Sequence, residues 1–186
     1  IDESILNFDG VCSFRKSVKT KTTEKSGIKV YTLVESDTFY TANIEICVSE
    51  KNENEALQTR TTNDLIKKLV SHLHHSGMTI VTPPRMTTFS LVNSLTNDCG
   101  LNCVGGLLSK RKEIPQAFYS KDRKNFSSVF GFTQSGISLL SYINAKNKAC
   151  MVISTRNDQY HVRKAARTGA PEALIWYKQR RGAANV

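Results

Sequence analysis

The sequence has no apolar run long enough to cross a membrane. A spanning helix needs about 20 mostly apolar residues, and no stretch of the 186 residues approaches that length. The start of the chain also lacks the charged and then apolar segments of a secretory signal. We therefore expect no membrane partner. Because the chain begins at Ile1 and stops at Val186, we expect a fragment of a longer protein, and the missing signal carries little weight.

Cysteine is scarce and irregularly spaced. The sequence holds an odd number of cysteines, namely Cys12, Cys47, Cys99, Cys103 and Cys150. Cys99 and Cys103 are the one close pair, and no second pair follows at the spacing of a zinc site. The pattern favours free core thiols in a reducing compartment.

Acidic residues are scarce in the second part of the chain. Residues 1–60 carry 8 Lys and Arg against 10 Asp and Glu, whereas residues 61–186 carry 18 against 6, which gives a net charge of +10. A basic excess favours a polyanionic partner, most simply nucleic acid, because phosphate contacts supply most nonspecific affinity. The alternative is a solvated surface with surplus lysine, and charge alone does not decide between them.

Apolar periodicity predicts a mixed α/β sheet in the first 108 residues. Period-two alternation or short apolar runs predict strands at 27–34, 39–48, 78–82 and 101–108. Helical spacing predicts one helix from Thr62 or Asn63 to Gly77 and another after Thr87 or Thr88. Residues 16–26 resemble a basic connector. Strands that alternate with helices in this way suit a mixed sheet.

The pattern changes after Lys110, and three domain segments follow from it. Short β candidates at 126–132, 137–143 and 149–155 indicate a β-rich insertion, and residues 171–177 indicate an extended apolar return to the core. The predicted organisation is a first part of the core at 1–108 and an insertion at 109–170. A return to the core at 171–186 then starts the last helix.

Histidines cluster in the last turn of the first predicted helix. His72, His74 and His75 suggest a metal site, but neighbouring side chains at 74 and 75 point apart. Histidines also suit a helix C-terminus electrostatically, so we favour that role over metal binding.

The strand at 78–82 ends where a nucleic-acid-cutting enzyme of this layout would place a metal-binding aspartate. Ribonuclease-H-like nucleases hold two Mg²⁺ ions, about 3.5–4 Å apart, with several carboxylates at strand ends and on a late helix. Here the strand leads into Pro83 and Pro84, and proline has neither a side-chain ligand nor a backbone donor. Asp2 and Glu3 would close the first strand of such a core.

Six motifs, in order and with suitable gaps, resemble the piggyBac transposase family across nearly all of the chain. They lie at Asp2–Arg15, Lys25–Lys29, Val104–Pro115, Ser141–Tyr142 with Met151–Thr155, Pro171–Tyr177, and Gln179–Gly182. The resemblance implies a ribonuclease-H-like mixed-sheet core of the DDE/DDD transposase type, interrupted by a β-rich insertion. It also implies an ancestral cut-and-paste reaction on DNA, a nuclear location, and Mg²⁺ as a cofactor if the site is active.

The resemblance further implies three aspartates, of which this sequence keeps one. The first is Asp2, the second falls on Pro83, and the third falls on Asn185. An arginine expected after Val104 is replaced by Leu108. Asp98, Asp122 and Asp158 are other acids of the sequence, and we do not expect them to rebuild the site. Asp2 is then a vestigial catalytic residue and a weak metal ligand.

Basic residues beside the family's DNA-facing segments are the expected DNA contacts. They are Arg15, Lys29, Lys110, Arg111, Lys112, Lys178, Arg180 and Arg181. Trp176 and Tyr177 could stack on bases, although core packing is the favoured role for both.

Three functions stay open at this point. The first is a domesticated transposase-derived domain that has lost cleavage and strand transfer, kept for DNA binding or for assembly as a homodimer or with other transposase-like subunits. The second is an active two-metal transposase with a divergent acid set. The third is a protein-interaction module that does not bind DNA.

Overall fold

The computed structural model describes residues 1–13, 15–19, 24–47, 61–108, 111–119, 122–156 and 169–185. They form two compact units. One lies within Ile1–His72 and includes the short 3-10 turn at Ala183–Asn185, and the other lies within Leu73–Gly182. Among these described residues, no helix has both the length and the apolar character that a membrane crossing requires.

The first unit is built on a four-stranded antiparallel sheet. Its strands are β1 (Asp2–Asn7), β2 (Lys16–Lys19), β3 (Glu24–Val34) and β4 (Thr41–Ile46). The long strand β3 pairs with β1 along one edge, and with β2 and then β4 along the other. Val30 of β3 therefore lies between Ser4 and Ile46, and it is buried.

Helix α1 (Thr62–Leu69) lies against β4 and is fixed at both ends. At its start, the Thr61 hydroxyl accepts a hydrogen bond from the Asp64 amide while the Asp64 carboxylate accepts one from the Thr61 amide, which is a capping box. At its end, the Asn43 side-chain amide of β4 donates to the Leu69 carbonyl at 2.8 Å. These bonds orient the buried face of the helix towards the sheet.

Two sequence predictions in this unit are wrong. The first helix ends at Leu69, not at Gly77, and a 3-10 turn at Ser71–Leu73 follows it. Gly77 has a φ of +69° and its amide donates to the Gly100 carbonyl, so it closes a separate turn. The supposed connector at 16–26 holds β2 and the start of β3, which pair with each other because backbone bonding does not require apolar side chains.

The second unit is built on a five-stranded mixed sheet in the order β5-β6-β9-β8-β7. The strands are β5 (Thr79–Thr82), β6 (Asn102–Leu107), β7 (Ser128–Phe132), β8 (Ser138–Ile143) and β9 (Ala149–Ser154). β5 and β6 are parallel, as a helical crossover allows, and the other pairs are antiparallel. The strands of the predicted insertion thus continue the sheet of β5 and β6, and the boundary at residue 109 stays a prediction.

Two helices belong to this unit. Helix α2 (Phe89–Asn97) begins where Thr88 caps it, with the Thr88 hydroxyl accepting from the Leu91 amide at 2.9 Å. Helix α3 (Glu172–Arg180) follows Pro171. The prediction of extended chain at 171–177 is therefore wrong.

The error at α3 has a physical explanation. Ala173, Leu174 and Tyr177 are buried and share one side of the helix, where they pack on Val104 and Val152. Their spacing is helical, but Ile175 and Trp176 fill the gaps and make the segment look like a continuous apolar strand.

Candidate metal centre and nucleic-acid interface

The first acid position, Asp2, lies at the start of β1. Its pairing with Thr32 is the first step of a ladder that runs to Asn7 opposite Gly27. The expectation that Asp2 and Glu3 close the first strand is therefore wrong, because the strand continues past them to Asn7. One Asp2 carboxylate oxygen accepts a hydrogen bond from the Glu3 amide at 2.8 Å. Asp2 is partly buried, and its carboxylate already accepts a hydrogen bond from the backbone of the next residue.

The third acid position, Asn185, lies in the same unit as Asp2. It ends the 3-10 turn at Ala183–Asn185, and this turn contacts both β1 and β3. The main chain therefore brings the third position to the sheet that carries the first. The residue type at this position is an amide, which offers a neutral oxygen instead of a carboxylate.

The second acid position, Pro83, follows β5. The one atom of Pro83 that could still bind a metal is its carbonyl oxygen, and that atom already accepts hydrogen bonds. Its carbonyl oxygen accepts hydrogen bonds from the Met86 and Thr87 amides at 3.0 and 3.1 Å, and from the Thr87 hydroxyl at 2.9 Å. A proline side chain cannot bind a metal. With three donors on its carbonyl, the main chain of Pro83 has no room for a metal ion either.

Two buried threonines close the turn around Pro83. The hydroxyl oxygens of Thr82 and Thr87 are 2.8 Å apart, and neither residue is exposed to solvent. Because Thr87 donates to Pro83, Thr82 supplies the proton between the two hydroxyls. The strand end thus carries a complete hydrogen-bond chain from Thr82 to Thr87 to the Pro83 carbonyl.

The neighbouring strand approaches this turn closely through two glycines. A Cβ atom added at Gly105 would lie 2.5 Å from the Thr87 side chain, and one added at Gly106 would lie 2.5 Å from the Tyr177 hydroxyl. Tyr177 is 3% exposed and donates to the Thr82 carbonyl at 3.3 Å. This tyrosine is therefore a core residue, as favoured from the sequence, and cannot stack on bases.

A pair of divalent cations does not fit the residues at these three positions. One carboxylate, one amide and a proline with an occupied carbonyl cannot offset the charge of two dications. In the described part of the chain, no group of three or more His, Cys, Asp or Glu side chains is placed to hold a metal ion. The alternative acids do not change this: Asp98 follows the last residue of α2, at its C-cap position, Asp122 is exposed, and Asp158 lies outside the described residues.

The two expected DNA contacts of the first unit make internal bonds. The Arg15 guanidinium donates to the Ser26 hydroxyl at 2.7 Å. Lys29 forms a 3.0 Å ion pair with Glu3 and lies 4.9 Å from the centre of the Tyr31 ring. Burial lowers the pKa of Lys29, but hydrogen bonds with Tyr31 and Glu3 outweigh it and the net pKa is raised. Lys29 therefore stays charged, but its charge is already partnered.

The expected contacts of the second unit fall into two groups. Arg111 is half-buried and Lys112 is exposed after β6, while Lys110 lies outside the described residues. The other three residues, Lys178, Arg180 and Arg181, lie at the end of α3. Lys178 and Arg181 are exposed, and cations also suit a helix C-terminus.

Sequence reasoning missed one arrangement near α3. The guanidinium carbons of Arg156 and Arg180 lie 4.9 and 4.6 Å from the centre of the Trp176 ring. Trp176 and Arg180 are four residues apart, so a helical interpretation of 172–180 would have placed them on one face. Nothing in the sequence places Arg156, which follows β9, beside them.

The described histidines and cysteines form no metal-binding group of three or more side chains. The rings of His74 and His75 meet edge to face at 6.3 Å, outside any larger ligand group of the described residues. All five cysteines are in the thiol form and not in disulfides. Cys99 and Cys103 are buried, and burial raises the pKa of Cys103 to about 12.

Comparisons with known proteins identify a family and a related fold. A protein-family model described as Transposase IS4 matches residues 1–185. A cryo-EM structure of the piggyBac transposase synaptic complex with hairpin DNA matches with a TM-score of 0.85 and 25% sequence identity. That match covers 99% of this chain and 38% of the transposase chain, so this chain spans well under half the length of that protein. No curated protein matches at a significant level.

Proposed function

Because the chain belongs to the piggyBac-type IS4 transposase family, we propose that it is a DNA-binding domain that has lost metal-dependent cleavage and strand transfer. Its fold is the mixed α/β, ribonuclease-H-like fold expected from the sequence. The observation that carries the proposal is the occupied carbonyl of Pro83 at the second acid position.

Loss of the second acid removes most of the chemistry that two metal ions supply. Metal ions contribute several kcal/mol of transition-state stabilisation in such reactions. A loss of about 5 kcal/mol slows a reaction by more than about 10³-fold. Asn185 removes a further negative charge from the set, and Asp2 remains as a vestige of it.

DNA binding is supported by charge and by the relative. The basic excess of residues 61–186 includes the exposed cations at the end of α3. The piggyBac transposase with the similar fold was solved in a complex with hairpin DNA. We propose duplex DNA as the partner of this chain and the nucleus as its location.

A second candidate, assembly with another protein subunit, has an observation of its own. The β3–β4 connection and β4 expose four large apolar side chains, with 53%, 70%, 54% and 53% of Phe39, Tyr40, Ile44 and Ile46 accessible. Ile44 and Ile46 lie on the face of β4 away from the Asn43 contact with α1. A homodimer or an assembly with other transposase-like subunits would cover them.

The decisive experiment measures binding and cleavage on the same DNA. The full 186-residue chain is titrated into labelled duplex and hairpin DNA, and the products are resolved after incubation with Mg²⁺ or Mn²⁺. We expect binding that weakens steeply with salt and no cleavage or strand transfer. Metal-dependent cleavage that Asp2→Asn abolishes would instead support an active transposase. Binding of protein without binding of DNA would support the interaction module.

A further inference from the structure

Three exposed lysines lie at one end of the five-stranded sheet of the second unit. Lys146 and Lys148 belong to the turn between β8 and β9, and Lys124 belongs to the turn that leads into β7. In the part of the chain that the structure describes, the ammonium groups of these lysines make no hydrogen bond or ion pair. Their charges are therefore open to an external partner.

Backbone hydrogen bonds hold the two turns side by side. The Phe126 amide donates to the Ile143 carbonyl at 2.8 Å, which joins the turn before β7 to the last residue of β8. The Asn144 amide then donates to the Lys148 carbonyl at 3.0 Å across the β8–β9 turn. Because neighbouring strands lie about 4.8 Å apart, β7 and β9 on either side of β8 are on the order of 10 Å apart.

The geometry of the β8–β9 turn explains its asparagines but not its lysines. The Asn144 side-chain oxygen accepts hydrogen bonds from the Lys146 and Lys148 amides at 2.9 and 3.0 Å. Asn147 has a φ of +54°, in the left-handed region that asparagine tolerates better than most residues. Lys146 and Lys148 contribute only their backbone to these bonds, so other exposed polar residues would form the same turn.

The second acid position lies at the same end of the sheet. β5 and β6 are parallel and end at Thr82 and Leu107. Leu107 pairs with Met151, two residues after β9 begins at Ala149, so β5 and β6 end on the side of the sheet that carries the β8–β9 turn. Pro83 follows β5 there. A DNA backbone that approaches the strand end at Pro83 from this side therefore also approaches the three lysines.

Acidic residues close in sequence do not cancel this charge. The stretch from Arg123 to Arg156 contains no Asp or Glu. Asp122, two residues before Lys124, is exposed and already has an interaction within the chain. The turns at this end of the sheet therefore carry a net positive charge, which favours an anionic partner.

We propose that Lys124, Lys146 and Lys148 form a contact for the phosphate backbone of duplex DNA that does not depend on base sequence. This inference rests on the proposed DNA-binding function and assigns to it a site that sequence reasoning missed. Lysine binds phosphate as a compact point charge on a flexible stem. Because each strand carries one phosphate per about 3.4 Å of helix axis, lysines spread over about 10 Å match about three successive phosphates of one strand.

Salt dependence of DNA affinity tests the contact directly. Each phosphate contact contributes about 0.9 to the slope of log affinity against log salt concentration. We expect Lys124→Gln, Lys146→Gln and Lys148→Gln each to lower the slope by about 0.9, and the triple variant to lower it by about 2.7. Fluorescence anisotropy of a labelled duplex titrated with the full 186-residue chain gives the slope. The losses will be equal on two duplexes of unrelated sequence.

Added charge provides a matched pair of variants at opposite ends of the sheet. Ala145→Lys adds a cation to the β8–β9 turn, and Gln134→Lys adds one to the β7–β8 turn at the other end. Both positions are exposed, so neither change disturbs the core, and circular dichroism checks that both variants are folded. We expect Ala145→Lys to raise the slope by about 0.9 and Gln134→Lys to leave it unchanged.

The outcomes distinguish this site from the function on which it rests. If the unmodified chain binds no duplex DNA, both the function and the site are wrong. If the chain binds DNA but the folded triple variant keeps its slope, the site is wrong and DNA binding stands. Equal effects of Ala145→Lys and Gln134→Lys would show that overall charge sets the affinity, and would also overturn the site. Losses on one duplex only would overturn sequence independence, because phosphates are common to every sequence.

Discussion

The Tyr177 hydroxyl donates a hydrogen bond to the Thr82 carbonyl, 3.3 Å away, across 95 positions of sequence. Both residues are buried. This bond connects α3, which precedes the third acid position in the sequence, to β5, which ends just before the second. It also satisfies the last carbonyl of β5, so the strand end is closed on the side of α3 as well as at Pro83.

Removing the Tyr177 hydroxyl tests that bond. Tyr177→Phe leaves the Thr82 carbonyl without this donor, and we expect the free energy of unfolding to fall by about 0.5–1.5 kcal/mol. Tyr40→Phe is the matched control, because Tyr40 is 70% exposed and its change will be within about 0.5 kcal/mol. Urea unfolding followed by circular dichroism gives both values. Equal values for the two variants would show that the bond does not stabilise the fold.

The close approach of β6 to the threonine turn makes a second prediction. Gly105→Ala places a methyl group 2.5 Å from the Thr87 side chain and 2.6 Å from the Thr82 hydroxyl. We expect a loss of about 1–3 kcal/mol, as for overpacked cores. Gly182→Ala is the control, since its added Cβ meets nothing within 4 Å. A Gly105→Ala protein as stable as the control would mean that the turn is loosely packed.

Helix α2 and strand β2 show where prediction from the sequence succeeds and where it fails. A capping residue and an apolar stripe predicted α2 correctly, because both are local features of the sequence. Strand β2 has four residues, of which Val18 alone is apolar. The strand forms because it pairs with β3, and its own sequence does not predict this pairing. The sequence predicted that Pro83 follows a strand. It could not predict the hydrogen bonds to the Pro83 carbonyl, because these depend on the geometry of the turn. Likewise Arg156 reaches Trp176 only through the folded chain.

Buried Cys103 gives a pH-dependent prediction. Burial disfavours the thiolate and raises its pKa from 9.0 to about 12. Because the folded pKa lies above the unfolded pKa, this thiol contributes stability below about pH 9 that is lost as the pH rises towards 12. We expect the unfolding free energy of the wild type to fall more steeply than that of Cys103→Ala over that range. Cys150→Ala, which alters a half-buried thiol, will follow the wild type.

Reactivity of the same thiol provides an independent readout. At pH 8, a thiol-specific alkylating reagent will modify the partly exposed cysteines Cys12, Cys47 and Cys150 before Cys103. Mass spectrometry of the digested protein gives the order of modification. Rapid alkylation of Cys103 in folded protein would contradict both its burial and its raised pKa.

Restoring the acids tests whether the residues at the three family positions explain the proposed loss of activity. Pro83→Asp combined with Asn185→Asp returns the two carboxylates that the family's acid set has and this sequence lacks, and we expect Mn²⁺ affinity to rise at least tenfold, or about 1.4 kcal/mol. Pro83→Ala combined with Asn185→Ala is the matched control and removes the proline without adding charge. Calorimetric titration with Mn²⁺ measures both variants and the wild type. Tight Mn²⁺ binding by the wild type that Asp2→Asn removes would show that the present residues already hold a metal, and the proposed loss of cleavage would then be wrong.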